Sequence, residues 1–126
     1  MLISEHMNKA DRIARSMDTA LEMNADYELF VEACMLSGTH MLNAVLHHLG
    51  TTTDREDLLH SDKPPLPIDP PAPAPEIMGL LKTIEDLRPG YLRGEAVWEP
   101  GHGEACRKAL RRIAEISIYT LERERK

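Results

Sequence analysis

The residues best equipped for chemistry are six histidines: His6, His40, His47, His48, His60 and His102. Near neutral pH an imidazole can ligate a metal or carry a proton. His40 and His47 are seven residues apart. That places them on one side of a helix but about 10.5 Å apart along its axis, too far to share one ion. Two histidines on one helix bind zinc at a spacing of three or four, with a third ligand from elsewhere. The sequence has no His-x-x-x-His, no Glu-x-x-His inside a helical pattern and no Cys–His cluster. The remaining route to a metal is convergence of single ligands from separate helices, for which His6, His47 and His102 are the candidates. Glu99 and His102 have a helical spacing, but Pro100-Gly101 between them is expected to forbid the helix.

Other nucleophiles and phosphate sites are scarce. There is no Gly-rich phosphate loop and no Gly-x-Ser-x-Gly elbow. Cys34 and Cys106, 72 positions apart, form no disulfide framework and read as reduced, buried, small apolar residues. Charge is uneven: residues 1–75 carry a net −7 and the remainder +1, for −6 overall. Arg107, Lys108, Arg111 and Arg112 crowd the first turns of the last helical segment. They are the candidate binding residues, either for a phosphate or nucleic acid held weakly and salt-sensitively, or for pairing with Glu104, Glu115 and the acidic first half.

These side chains need positioning elements, and the apolar periodicity supplies four helices. The first runs from about Ile3 to Met23, with Ile3, Met7, Ala10, Ala14, Met17 and Leu21 forming a seam. The second, about Asp26 to Leu49, is apolar almost all round: Tyr27, Phe30, Cys34, Met41 and Val45 share one face, and Leu29 and Leu36 sit nearly opposite. Such a helix must be covered on more than one side, either as the central element or as a homodimer interface. Gly50 is placed to end it.

Residues 51–75 form an acidic and then proline-rich connection, with seven prolines between Pro64 and Pro75. Proline removes backbone donors, so this stretch is expected to be extended, as a stiff spacer or a docking segment. Pro75 opens a third helix with Ile77, Leu80, Leu81, Ile84 and Leu87 on one side. A fourth runs from about Gly103 to Glu124, with Cys106, Ala109, Leu110, Ile113, Ile116, Ser117, Thr120 and Leu121 expected to face inward. The expected fold is all-α: one domain over residues 1–126, an up-and-down four-helix bundle with a long proline-rich crossover between helices two and three.

The first residues lack the basic start and apolar run of a secretory signal, and no stretch reaches 18 uninterrupted apolar residues. The expectation is a cytoplasmic protein with no membrane partner and no cofactor implied.

The segment Tyr27-Glu28-Leu29-Phe30-Val31-Glu32-Ala33-Cys34 through Val45-Leu46-His47-His48-Leu49-Gly50 resembles the second helix of the HEPN superfamily, small helical bundles often linked to toxin–antitoxin and nucleotidyltransferase systems. Leu87-Arg88-Pro89-Gly90-Tyr91 and Glu104-Ala105-Cys106 are similar to its later signatures. Catalytic members share an Arg followed four to six residues later by His, a spacing met here by Arg55 and His60. Those two fall in the acidic connection rather than on the last helix. The resemblance therefore implies a non-catalytic member with a binding or regulatory role, dimeric through helix two, whose partner is a protein, a nucleotide or RNA. The alternatives are a metal-dependent bundle enzyme of the DinB-like or ferritin-like kind, and a ribonuclease using Arg55 and His60.

Overall fold

The apolar periodicity is realised as four helices in a computed structural model that describes residues 1–58, 69–87 and 99–123. In chain order they are α1 (Ile3–Ala20), α2 (Tyr27–His48), α3 (Ala74–Glu85) and α4 (Pro100–Glu122). The described residues contain no strand and form an all-α four-helix bundle. Much of the proline-rich connection, residues 59–68, lies outside the described residues.

α2 is the centre. Thirteen of its residues are buried, and among the described residues it packs closely against each of the other three helices, whereas the backbone of α1 comes close to that of α2 alone. This explains why the second helix reads as apolar nearly all round. By length and composition α2 would also match a membrane-crossing segment, but most of it is buried inside the bundle. Gly38 permits the close packing: a Cβ there would lie 2.7 Å from Leu81 Cδ2 and 3.3 Å from Ile113 Cδ1, so α3 and α4 meet α2 where it has no side chain. Gly50, at φ +79°, ends α2 in the left-handed conformation that glycine adopts without a steric penalty.

α1 begins where the Glu5 carboxylate accepts the Leu2 N–H at 2.8 Å. It ends at Ala20, short of the expected Met23, because Leu21 turns extended (φ −108°, ψ 143°) and a polar link takes over. There Asp26 Oδ2 accepts the Glu22 N–H at 2.7 Å, and Glu22 Oε1 accepts the N–H groups of Asn24 and Ala25 at 3.0 and 2.7 Å. The Asp26 side chain therefore braces the link and does not cap α2. Ala10 and Met17 are buried as the seam predicts, and His6 is buried with them.

α4 corrects one expectation. It starts at Pro100, so Pro100-Gly101 opens the helix and does not break it. Proline's missing N–H is harmless in the first turn, where that donor has no intrahelical partner. His102 is thereby fixed in the first turn, its Nδ1 accepting the Glu99 N–H at 3.4 Å.

Cys106, Ala109, Leu110, Ile113, Ile116 and Ser117 are buried as their spacing predicts, whereas Thr120 and Leu121, in the last turns, are only half-buried. Both thiols are free and buried. Burial raises both above their ordinary value, Cys106 to about 11, so neither is poised as a nucleophile. Between α1 and α4 a cavity of about 230 Å³ remains, lined by Ala10, Ala14, Met41, Leu110 and Ala114 among others. An ion pair crosses from one helix to the other, Arg107 to Asp18 at 3.1 Å.

Candidate metal centre

His6 and His47 converge, as two of the three expected metal candidates, and the residue that joins them is Asp57. His6 Nε2 lies 2.8 Å and His47 Nε2 2.9 Å from the same oxygen, Asp57 Oδ1. One ligand atom from each of the three falls within 4.8 Å of the others. The two imidazoles are almost wholly buried, at 1% and 3% side-chain exposure, while Asp57 is 32% exposed. The site is closed behind the histidines and open on the carboxylate side.

Three segments supply these groups. α1 carries His6 on the apolar seam, one residue before Met7, so packing alone drives the ring inward. His47 sits in the last turn of α2. Asp57 is placed by the backbone beyond Gly50. The Thr51 and Thr52 N–H groups both turn back to Leu46 O, at 3.0 and 3.3 Å. The residue after Asp57, Leu58, is clasped by the buried Asn43: its N–H donates to Asn43 Oδ1 at 2.7 Å, and its carbonyl accepts from Asn43 Nδ2 at 3.1 Å. A buried amide on α2 thus holds the backbone beside Asp57.

The outer nitrogens are held too. His6 Nδ1 faces His40 Nδ1 at 2.9 Å, and His47 Nδ1 faces Thr52 Oγ1 at 2.7 Å. His40 and His47 are seven residues apart and do not meet at one ion, but each places its ring centroid 5.2 Å from that of His6, on α1 between them. An imidazole and a hydroxyl can each donate or accept. Both partners can therefore serve either tautomer: Nε2–H donating to Asp57, or Nδ1–H outward with the Nε2 lone pair free for a cation. Outward hydrogen bonds of this kind orient metal-binding histidines.

The ionisation states suit ligation. Burial lowers the His6 pKa below its ordinary value despite the opposing pull of Asp57, which keeps the ring neutral at neutral pH. Burial by itself would raise the Asp57 carboxyl, but hydrogen bonds from His6, the Met1 amine and His47 outweigh it and hold the group at about 2. The Met1 amine reaches Asp57 Oδ2 at 3.0 Å.

These shifts act on stability in one direction. A neutral His6 takes a proton more readily unfolded, so stability falls as pH drops through about 6.5 toward its lower folded value. Asp57 is ionised when folded down to about 2, so its contribution is present above its ordinary carboxylate range and lost as pH falls toward that value. Melting curves in chelator between pH 7.5 and 5 are expected to show a falling midpoint. The part of this loss that His6 causes should vanish in His6→Phe.

The other candidates do not join the centre. His102 caps α4 with Glu99 and is outside the cluster, because the helix that Pro100 opens holds its ring against its own N-terminus. Arg55 is exposed in the 53–56 turn, and His60 lies outside the described residues. Two of the four basic residues of α4 are held in ion pairs. Arg107 pairs with Asp18 at 3.1 Å, and Arg112 reaches Glu76 at 3.5 Å and Glu115 at 3.3 Å. Lys108 and Arg111 are exposed.

No family model matches the chain, and no curated protein or solved structure matches it either.

Proposed function

We propose that the protein is a metal-dependent helical bundle in which His6, His47 and Asp57 hold one divalent transition-metal ion, zinc being the best match. The observation that carries this is the convergence of two buried imidazole Nε2 atoms on one carboxylate oxygen, at 2.8 and 2.9 Å. Ligands about 2.0–2.1 Å from a tetrahedral ion stand roughly 3.3 Å from one another. The two short sides of the cluster therefore need a few tenths of an ångström of expansion, and its third side lies within 4.8 Å.

Two nitrogens and one oxygen suit zinc and its first-row neighbours and disfavour magnesium, which takes oxygen ligands and keeps several waters. A His₂–carboxylate set with three protein ligands leaves a coordination position open, and Asp57's exposure puts that position on the solvent side. An ion so held supplies Lewis acidity to a bound water or a substrate oxygen. The residues' own work is then separable. His6 and His47 present imidazole nitrogens, Asp57 supplies the negative charge, and His40 and Thr52 set the two ring orientations. This favours the metal-dependent alternative over a non-catalytic binding domain and over a ribonuclease built on Arg55 and His60.

The test is calorimetric titration of the untagged protein with Zn²⁺ and with Mg²⁺. One equivalent of Zn²⁺ should bind at micromolar affinity or tighter, with no measurable heat from Mg²⁺ at the same concentration. Less than a tenth of an equivalent of Zn²⁺ at saturation would end the proposal.

A further inference from the structure

We propose that the groove between α1 and α2 is the docking surface for a second copy of this chain. The groove, about 780 Å³, is lined by Ile13, Ala20, Leu29, Ala33 and Leu36, and it lies on the side of α2 that the other helices leave open. Leu29 is 61% exposed in its wall. An apolar channel between two antiparallel helices has the shape to take another helix pair ridge into groove.

The occupant is argued from charge. The α1 wall carries Lys9 and Arg12, and neither is in an ion pair among the described residues; the α2 wall carries Glu32. A two-fold axis running along the groove stacks α1 on α2 of the partner subunit, twice over, so the basic wall of each copy faces the acidic wall of the other. The levels agree. Ser37 Oγ donates to Ala10 O at 2.8 Å, which places those two residues side by side. Counting along the antiparallel helices from there, Arg12 is level with Met35, and Glu32 lies three residues beyond, about 4.5 Å along the axis. That is within reach of an arginine side chain. A surface whose two walls complement each other under a two-fold axis fits itself, which is the requirement of an isologous dimer. The facing charge pairs use none of the metal ligands, and His40, which also lines the groove, touches the centre only through His6, so the charge variants test this inference apart from the proposed function.

Light scattering on the untagged full chain, wild type and charge variants, tests it. Wild type should run at twice 14.2 kDa at micromolar concentration. Arg12→Glu and Glu32→Arg should each weaken the dimer about tenfold or more, because each reversal repeats across the two-fold axis. Mixed in equal amounts, those two variants should form a heterodimer, since both facing pairs are then opposite in sign. Combining both changes in one chain should restore the homodimer. Leu29→Glu changes an exposed position, which leaves the fold intact, and should be monomeric. A wild type that stays at 14.2 kDa at several hundred micromolar overturns the proposal. So does a dimer indifferent to Leu29→Glu, or a variant mixture that remains monomeric.

Discussion

Alanine at His6 is expected to weaken zinc binding by more than about a hundredfold, beyond the 10–100-fold range typical of outer-shell losses at metal sites. His6 is the only ligand from α1; without it the site is reduced to His47 and Asp57, ten residues apart in one stretch of chain. Asp57→Asn should have a comparable effect while keeping the side chain's shape, because it removes the only negative charge in the cluster. The outer partners should form a graded second tier. Thr52→Val deletes the group 2.7 Å from His47 Nδ1, and His40→Phe the group 2.9 Å from His6 Nδ1; each should cost about 10–100-fold in affinity. Competition against a chromophoric chelator, with helicity followed by circular dichroism, reads the whole series. A purely hydrogen-bonded role for the cluster predicts the opposite pattern, in which stability changes and metal affinity does not.

The largest effect on folding is expected from Phe30→Ala. Phe30 has no exposure, and truncating a buried phenylalanine typically costs about 3–5 kcal/mol through lost burial and the cavity left behind. The Arg107 guanidinium lies over its ring at 5.6 Å and pairs with Asp18 of α1 at 3.1 Å. Removing the ring therefore also loosens the ion pair that crosses the cavity between α4 and α1. Domains of this size are stable by about 5–15 kcal/mol, so the variant should lose about a fifth or more of its stability and melt roughly 10 °C or more below wild type. A drop under about 1 kcal/mol in urea unfolding would contradict the placement of this ring at the junction of α1, α2 and α4.

The four helices were legible because each buries a stripe at the helical period, and the all-round apolar character of α2 announced the central position it occupies. Boundaries were legible where glycine or proline chemistry set them, as at Gly50. They were misread at Pro100, where a residue that breaks helix interiors sits in the one turn that tolerates it.

The site was half legible. His6 and His47, two of the three residues expected to converge from separate helices, do come together. Asp57 carried no periodic signal, because it lies in an irregular acidic stretch and is positioned by hydrogen bonds from α2. The available clue was Asn43, a polar residue on the most buried helix, which clasps Leu58 and so places its neighbour. His102 was misassigned because spacing does not show which end of the bundle a helix start occupies.

The central claim is that a cation sits between His6, His47 and Asp57, and anomalous scattering from crystals of the untagged protein grown with Zn²⁺ tests it most directly. The expected result is one strong peak at the zinc edge, about 2.0–2.2 Å from His6 Nε2, His47 Nε2 and an Asp57 oxygen. Well-ordered crystals in which the peak lies elsewhere, or in which the three side chains keep their direct hydrogen bonds with no peak between them, would contradict it.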